Sequence, residues 1–129
     1  MAPIREPRLG YVPHFDVSAV DGRRLHYDEV WHRRNLVLVV FRANEREAAA
    51  QYASRLQARA EEFWLEESTV VVTVDVVPSL SAPIVVVADR WGEILFLDSP
   101  SDPTWRVPDV DELLSWVHFA QIQCPECPP

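Results

Sequence analysis

The stretch Asn35-Leu36-Val37-Leu38-Val39-Val40-Phe41-Arg42-Ala43-Asn44-Glu45-Arg46-Glu47-Ala48-Ala49 changes periodicity half-way along. Leu36–Phe41 is continuously apolar and rich in β-branched residues, as a strand buried on both faces must be. The second half of the stretch begins a helix. Asn44 can cap it, and Glu47 three residues on completes a capping box. Ala49, Tyr52, Ala53, Leu56, Ala60 and Phe63 then recur at helical spacing, which predicts one helix from about Glu45 to Glu66. A buried strand that runs directly into a long amphipathic helix is half of an α/β crossover.

Further strands lie on both sides. Val70–Val77 and Ile84–Ala88 are valine-rich runs of the same buried type. Ile94–Leu97 comes after Asp89-Arg90-Trp91-Gly92-Glu93, so Ile84–Ala88 and Ile94–Leu97 read as an antiparallel hairpin with glycine in its loop. Phe15–Val17 and Arg24–Tyr27 flank Asp21-Gly22, a second hairpin signal. A last helix is predicted from about Val110 to Gln121, capped by Asp109 with Glu112 closing the box and Pro108 before it. Its stripe is Val110, Leu113, Leu114, Val117 and Ala120, widened by Trp116 and Phe119. Both helical stripes read as core, and the tryptophans as packing rather than a ligand box. The order is hairpin, strand, long helix, strand, hairpin, helix. That is one α/β domain over residues 1–121 with a mixed central sheet, and 122–129 form a tail.

Bulk properties bound the function. A chain of 129 residues buries roughly two thirds of its unfolded surface, enough for a real core. No apolar run is long enough to cross a bilayer. Met1-Ala2-Pro3-Ile4-Arg5 lacks the apolar region of a secretory signal, so the expected location is cytoplasmic. Net charge is −8. An acidic surface repels phosphates, so neither nucleic acid nor anionic membrane is an expected partner. All basic residues are arginine, and the doublets Arg23-Arg24 and Arg33-Arg34 read as solvated loop or strand-edge charges.

The residues resemble the thioredoxin-like superfamily, and within it the redoxin or peroxiredoxin-like (AhpC/TSA-type) branch. Gly10–Val17 with Val20-Asp21-Gly22-Arg23 looks like that branch's N-terminal hairpin. Asn35–Phe41 looks like the strand that leads to its active site. Ala82-Pro83-Ile84 through Asp89-Arg90-Trp91-Gly92-Glu93 looks like its cis-proline, strand and Asp-x-x-Gly turn. The resemblance covers nearly the whole chain. It implies a thioredoxin-like three-layer fold and a structural cis-proline at Pro83.

The family's chemistry does not carry over. Its catalytic cysteine stands at the start of the helix, where the macrodipole and free N–H groups stabilise a thiolate. Counted from Phe41, Arg46 and Ala49 occupy the places of a thioredoxin's two cysteines. Cysteine is absent there, as are serine and the threonine and proline of the peroxidase motif. The family also places a helix between the strands ending near Asp75 and beginning at Pro83, where this chain has only Val76–Ala82. Two strands that flank a central one lie about 10 Å apart, and seven residues span roughly 23 Å. A bare loop across the active-site end of the sheet suffices.

Both cysteines lie in the tail, as Cys124-Pro125-Glu126-Cys127. Three readings stay open. The thiols can form a redox pair, although Glu126, the chain's end and the negative end of the last helix all raise a thiol pKa. The pair can be half of a tetrahedral zinc or iron site, completed by His118 or by a second copy in a homodimer. Or the tail is inert. His14, His26, His32 and His118 read as surface or packed residues. Asp75 and Asp89 read as turn residues. The leading expectation is therefore a non-catalytic redoxin-like module for protein interaction or assembly; some thioredoxin-fold chaperones of hydrogenase assembly likewise lack the cysteines. The alternatives are a weak thiol-disulfide oxidoreductase working through Cys124 and Cys127, and a metal-bridged dimer.

Overall fold

The computed structural model describes residues 9–122. Strand β1 (Asp16–Ser18) and strand β2 (Arg24–His26) pair antiparallel around Asp21-Gly22. Gly22 takes φ +96, which the turn requires and glycine alone adopts freely. A short 3₁₀ turn, Tyr27–Glu29, leads on to β3 (Asn35–Val40). Helices α1 (Arg46–Gln57) and α2 (Ala60–Leu65) come next, then β4 (Ser68–Thr73), β5 (Ile84–Ala88), β6 (Ile94–Asp98) and α3 (Val110–Ile122).

The main sheet has the order β4-β3-β5-β6. β4 runs parallel to β3, and β5 antiparallel to both β3 and β6. Every residue of β3 is buried, as its unbroken apolar run requires. Alternation along the strands splits the core in two. Val37, Val39, Val72, Val85 and Val87 face the helices and pack on Ala49, Tyr52, Leu56, Phe63, Leu113 and Val117. Leu36, Leu38, Val40, Val71, Val86 and Ala88 face the other way. There they meet the N-terminal segment through Val12, Phe15, Val17, Tyr27 and Val30. The domain has three layers, but all three helices lie on one. The hairpin, the 3₁₀ turn and the β4–β5 loop form the layer opposite.

Three local expectations are corrected. The strand expected over Val70–Val77 is Ser68–Thr73, because beyond Thr73 the chain leaves the sheet and Asp75 bonds to Ser18. The long helix predicted over 45–66 is two helices with a break at Ala58-Arg59, where Arg59 N–H bonds back only to the Leu56 carbonyl. Arg59 lies three residues after buried Leu56, at the edge of the apolar stripe. The break lifts its guanidinium out to Glu62 and to Asp111 on α3. The start also differs. The chain enters through a 3₁₀ turn, Ala43–Glu45, so the reciprocal bond joins the Arg42 N–H to the Glu45 carboxylate at 2.8 Å instead of engaging Asn44 and Glu47. At the far end α3 continues through Ile122, one residue past the boundary set at 121. Among the described residues no helix is long and apolar enough to cross a membrane.

Candidate functional site

The end of the sheet where β3 gives way to α1 is built from four pieces. Phe41 continues β3, donating its N–H to the Thr73 carbonyl at 2.9 Å. Its ring meets Tyr52 edge-on, with centroids 6.1 Å apart, which orients α1 on the sheet. The Arg42–Glu45 bond closes the helix entrance. Arg46 opens α1 and is exposed, whereas Ala49, one turn later, is fully buried against the sheet. One step beyond the Val40–Ile84 pair lies Pro83, buried and preceded by a cis peptide bond. Residues 42–49 carry no thiol and no hydroxyl; their side chains are those of Arg, Ala, Asn and Glu.

The loop between β4 and β5 crosses this same end without a helix. Its path is set by a few bonds. The Asp75 carboxylate accepts the Ser18 N–H at 2.7 Å, and the Thr73 hydroxyl donates to the Ser18 carbonyl at 2.7 Å. A tight turn then bridges Val77 and Leu80, with Ser79 at φ +68. Val77 is buried under the hairpin layer, and Val76 beside it is 89% exposed. An apolar side chain is thus held outward on this loop.

The opposite end of the sheet is polar. Asn35, fully buried at the start of β3, donates through Nδ2 to the Glu66 carbonyl and to Gln121 Oε1, both at 3.0 Å. Gln121 Oε1 also accepts from Arg90 at 2.8 Å, and Arg90 reaches Glu67 at 2.9 Å. Hydrogen bonding from Gln121, aided by the Arg90 charge, holds the Glu67 carboxyl below the usual carboxylate range. His118 Nδ1 lies 3.0 Å from Glu66 Oε1. This cluster ties the last turn of α3 to the root of β3. It was not anticipated from sequence. A lone asparagine ahead of an apolar run was the signal that could have shown it, since a buried amide needs partners.

The other histidines have local partners. His14 Nδ1 is 2.5 Å from Asp28 and His26 Nδ1 2.6 Å from Asp16, both across the hairpin. His32 lies against Trp31, the two rings tilted by 40° with centroids 3.9 Å apart. Among the described residues no group of three or more His, Cys, Asp or Glu could hold a metal ion. Cys124 and Cys127 lie outside the described residues, so the sets that would join them to His118 or to a second copy lie outside as well. Asp89 is a turn residue: its carboxylate accepts the N–H groups of Trp91 and Glu93, each at 3.0 Å.

A central β-α-β parallel pair, an antiparallel hairpin, a final helix, and a cis-proline beside the helix mouth define the architecture. The fold is thioredoxin-like. Mycobacterium tuberculosis AhpC superposes with a TM-score of 0.61 at 13% identity, covering 97% of each chain. A thiol:disulfide interchange protein of the thioredoxin family from Chlorobium tepidum TLS gives 0.59 at 12%, covering 93% of this chain and 99% of that one. The mitochondrial 2-Cys peroxiredoxin of Plasmodium falciparum gives 0.58 at 9%, covering 87% and 92%. No family model matches the sequence, and no curated relative does. At these identities the likeness is one of fold.

Proposed function

We propose that this chain is a thioredoxin-fold module of the redoxin type that binds a protein partner and carries out no thiol chemistry at its helix mouth. The observation that carries this reading is the pair Arg46 and Ala49. One is an exposed guanidinium and the other a buried methyl group, and neither can attack a peroxide or a disulfide. What remains at that end is a cradle for contact. The β4–β5 loop holds Val76 exposed, and the helix entrance carries the exposed cations Arg42 and Arg46.

Cys124 is no substitute nucleophile for that site. Gln121 is bonded to Asn35 at the root of β3, and the mouth lies past the other end of this strand. A six-residue strand spans about 20 Å. Three residues of chain, from Gln121 to Cys124, reach at most about 10 Å.

The test compares the full chain with Cys124→Ser/Cys127→Ser. Hydroperoxide consumption and insulin reduction should be at background for both, and aerobically purified protein should keep its full mass. Brisk turnover by the serine variant would overturn the reading. A mass about 2 Da low that is restored by reductant, together with insulin reduction by the full chain alone, would transfer the function to the tail. For the contact surface, a photo-crosslinking residue at position 76 should trap a partner in cells that the same residue at Leu65, also exposed but on α2, does not.

A further inference from the structure

We propose that the cleft along the outer edge of β4 binds a small apolar carboxylate, its head held by Arg23 and Arg34 and its body lying against α1 and α2. The cleft has a volume of about 220 Å³ and opens between the tip of the hairpin, β4 and the break between the two helices. Ala53, Leu56, Phe63 and Val72 form its floor, and Arg23, Arg34 and Trp64 stand at its rim.

The cations are fixed by the strand itself. Thr73 accepts from Phe41 on β3, so alternate residues Ser68, Val70 and Val72 turn their main-chain groups outward. All three outward carbonyls are taken. Arg34 Nη2 donates to Ser68 at 3.1 Å, Arg23 Nη2 to Val70 at 3.1 Å, and the Val20 N–H to Val72 at 2.8 Å. Arg34 is further held by Nε on the Thr69 hydroxyl at 3.1 Å and lies 4.3 Å over the Trp64 ring. Arg23 Nε is on Asp21 at 2.8 Å. A guanidinium has five donors, so each arginine keeps its Nη1 group for a ligand. Their anchor carbonyls are two residues apart, about 7 Å along the strand, which leaves room for one carboxylate between two prepositioned cations.

Charge decides the class. Asp21, the acid at this rim, is already paired with Arg23, and among the described residues Arg34 forms no salt bridge. An apolar amine would face two guanidiniums, whereas a carboxylate completes them with charge-assisted bonds. The volume lies below the roughly 300–1,000 Å³ of drug-sized sites. The body is therefore that of a medium-chain fatty acid or an aryl alkanoate.

The probe is octanoate, titrated into uniformly ¹⁵N-labelled full chain and followed by amide shifts, with octylamine as the matched cation. Octanoate should move the amides of Ala53, Leu56, Phe63 and Val70 saturably at about 5 mM or below, where a millimolar site fills, and octylamine should not. Arg34→Gln should weaken binding about tenfold or more, and Ala53→Trp should abolish it by filling the floor. If Arg34→Gln fails to fold, Arg23→Gln carries the same expectation. Octanoate that leaves these amides unmoved, that binds no better than octylamine, or that is indifferent to the arginine and Ala53 changes overturns the proposal.

Discussion

Arg46 stands where the resemblance to thioredoxins would put a cysteine, and its position can be interrogated directly. It is the first residue of α1, where free N–H groups and the helix dipole favour an anion. Arg46→Cys in a Cys124→Ser/Cys127→Ser background should therefore yield a thiol that reacts with a disulfide reagent several-fold faster than the two tail thiols of the unmodified chain. Equal rates would mean that the mouth is no longer electropositive. Two buried tyrosines set a second expectation. Tyr27 and Tyr52 are each pushed up to about 12, above all by burial; the Asp89 charge adds to the effect on Tyr27. A raised tyrosine keeps its proton longer in the folded state than in the unfolded one. Its contribution is fully present below pH 10 and is lost as pH rises through 12. Chemical denaturation should show a level plateau up to about pH 9.5 and then a steep fall. In Tyr27→Phe the fall should be shallower by about 2–3 kcal/mol across that window. Tyr52→Phe is the less clean test, because it also loses the 2.7 Å bond to the Pro108 carbonyl.

Elements were legible where a run of residues had one job. The β3, β5 and β6 strands match their apolar runs closely, and Asp21-Gly22 and Gly92 sit in the turns their sequence indicates. The break in the long helix was hidden because Arg59 and Ala60 fit a helical pattern as well as a kinked one. Only the position of Asp111 on a distant helix gives the guanidinium a reason to leave the stripe. At the helix mouth the sequence already identified Arg46 and Ala49, and the structure adds that the first is exposed and the second buried. The arginine-lined cleft was visible only as strand-edge charge, because no local pattern tells which carbonyls a long side chain will reach. Gly92 gives a firm expectation. It takes φ +86, and a Cβ there would stand 3.1 Å from the Tyr27 hydroxyl oxygen. Gly92→Ala should cost about 1–3 kcal/mol by denaturant titration. Gln121→Ala should leave Asn35 and Arg90 short of an acceptor. It should lower stability by about 1–2 kcal/mol, with faster hydrogen exchange in the last turn of α3 before any change at α1.

For the whole molecule, the absence of a helix between β4 and β5 is the main architectural choice. All the helical packing falls on one face, through Tyr52, Leu56, Phe63, Leu113 and Val117. The other face relies on the hairpin layer, pinned by Thr73 and Asp75 to Ser18. Asp75→Ala should loosen this layer and expose apolar surface, read as increased binding of an environment-sensitive dye before global unfolding. Cys124→Ser/Cys127→Ser should leave the melting temperature within about 1–2 °C, unless a metal is bound. A larger drop in metal-free protein would show that the tail packs into the fold.

Gly10 accepts a hydrogen bond from Ile94, at the β5–β6 turn, and Gln121 is bonded to Arg90 in that same turn. Both ends of the described chain thus leave from one pole, and the helix mouth faces away at the other. Such a body can be grafted into the surface loop of a second protein, or closed by a short linker and reopened elsewhere, with that mouth unobstructed. A permuted form opened in the exposed 99–104 segment should retain both cores.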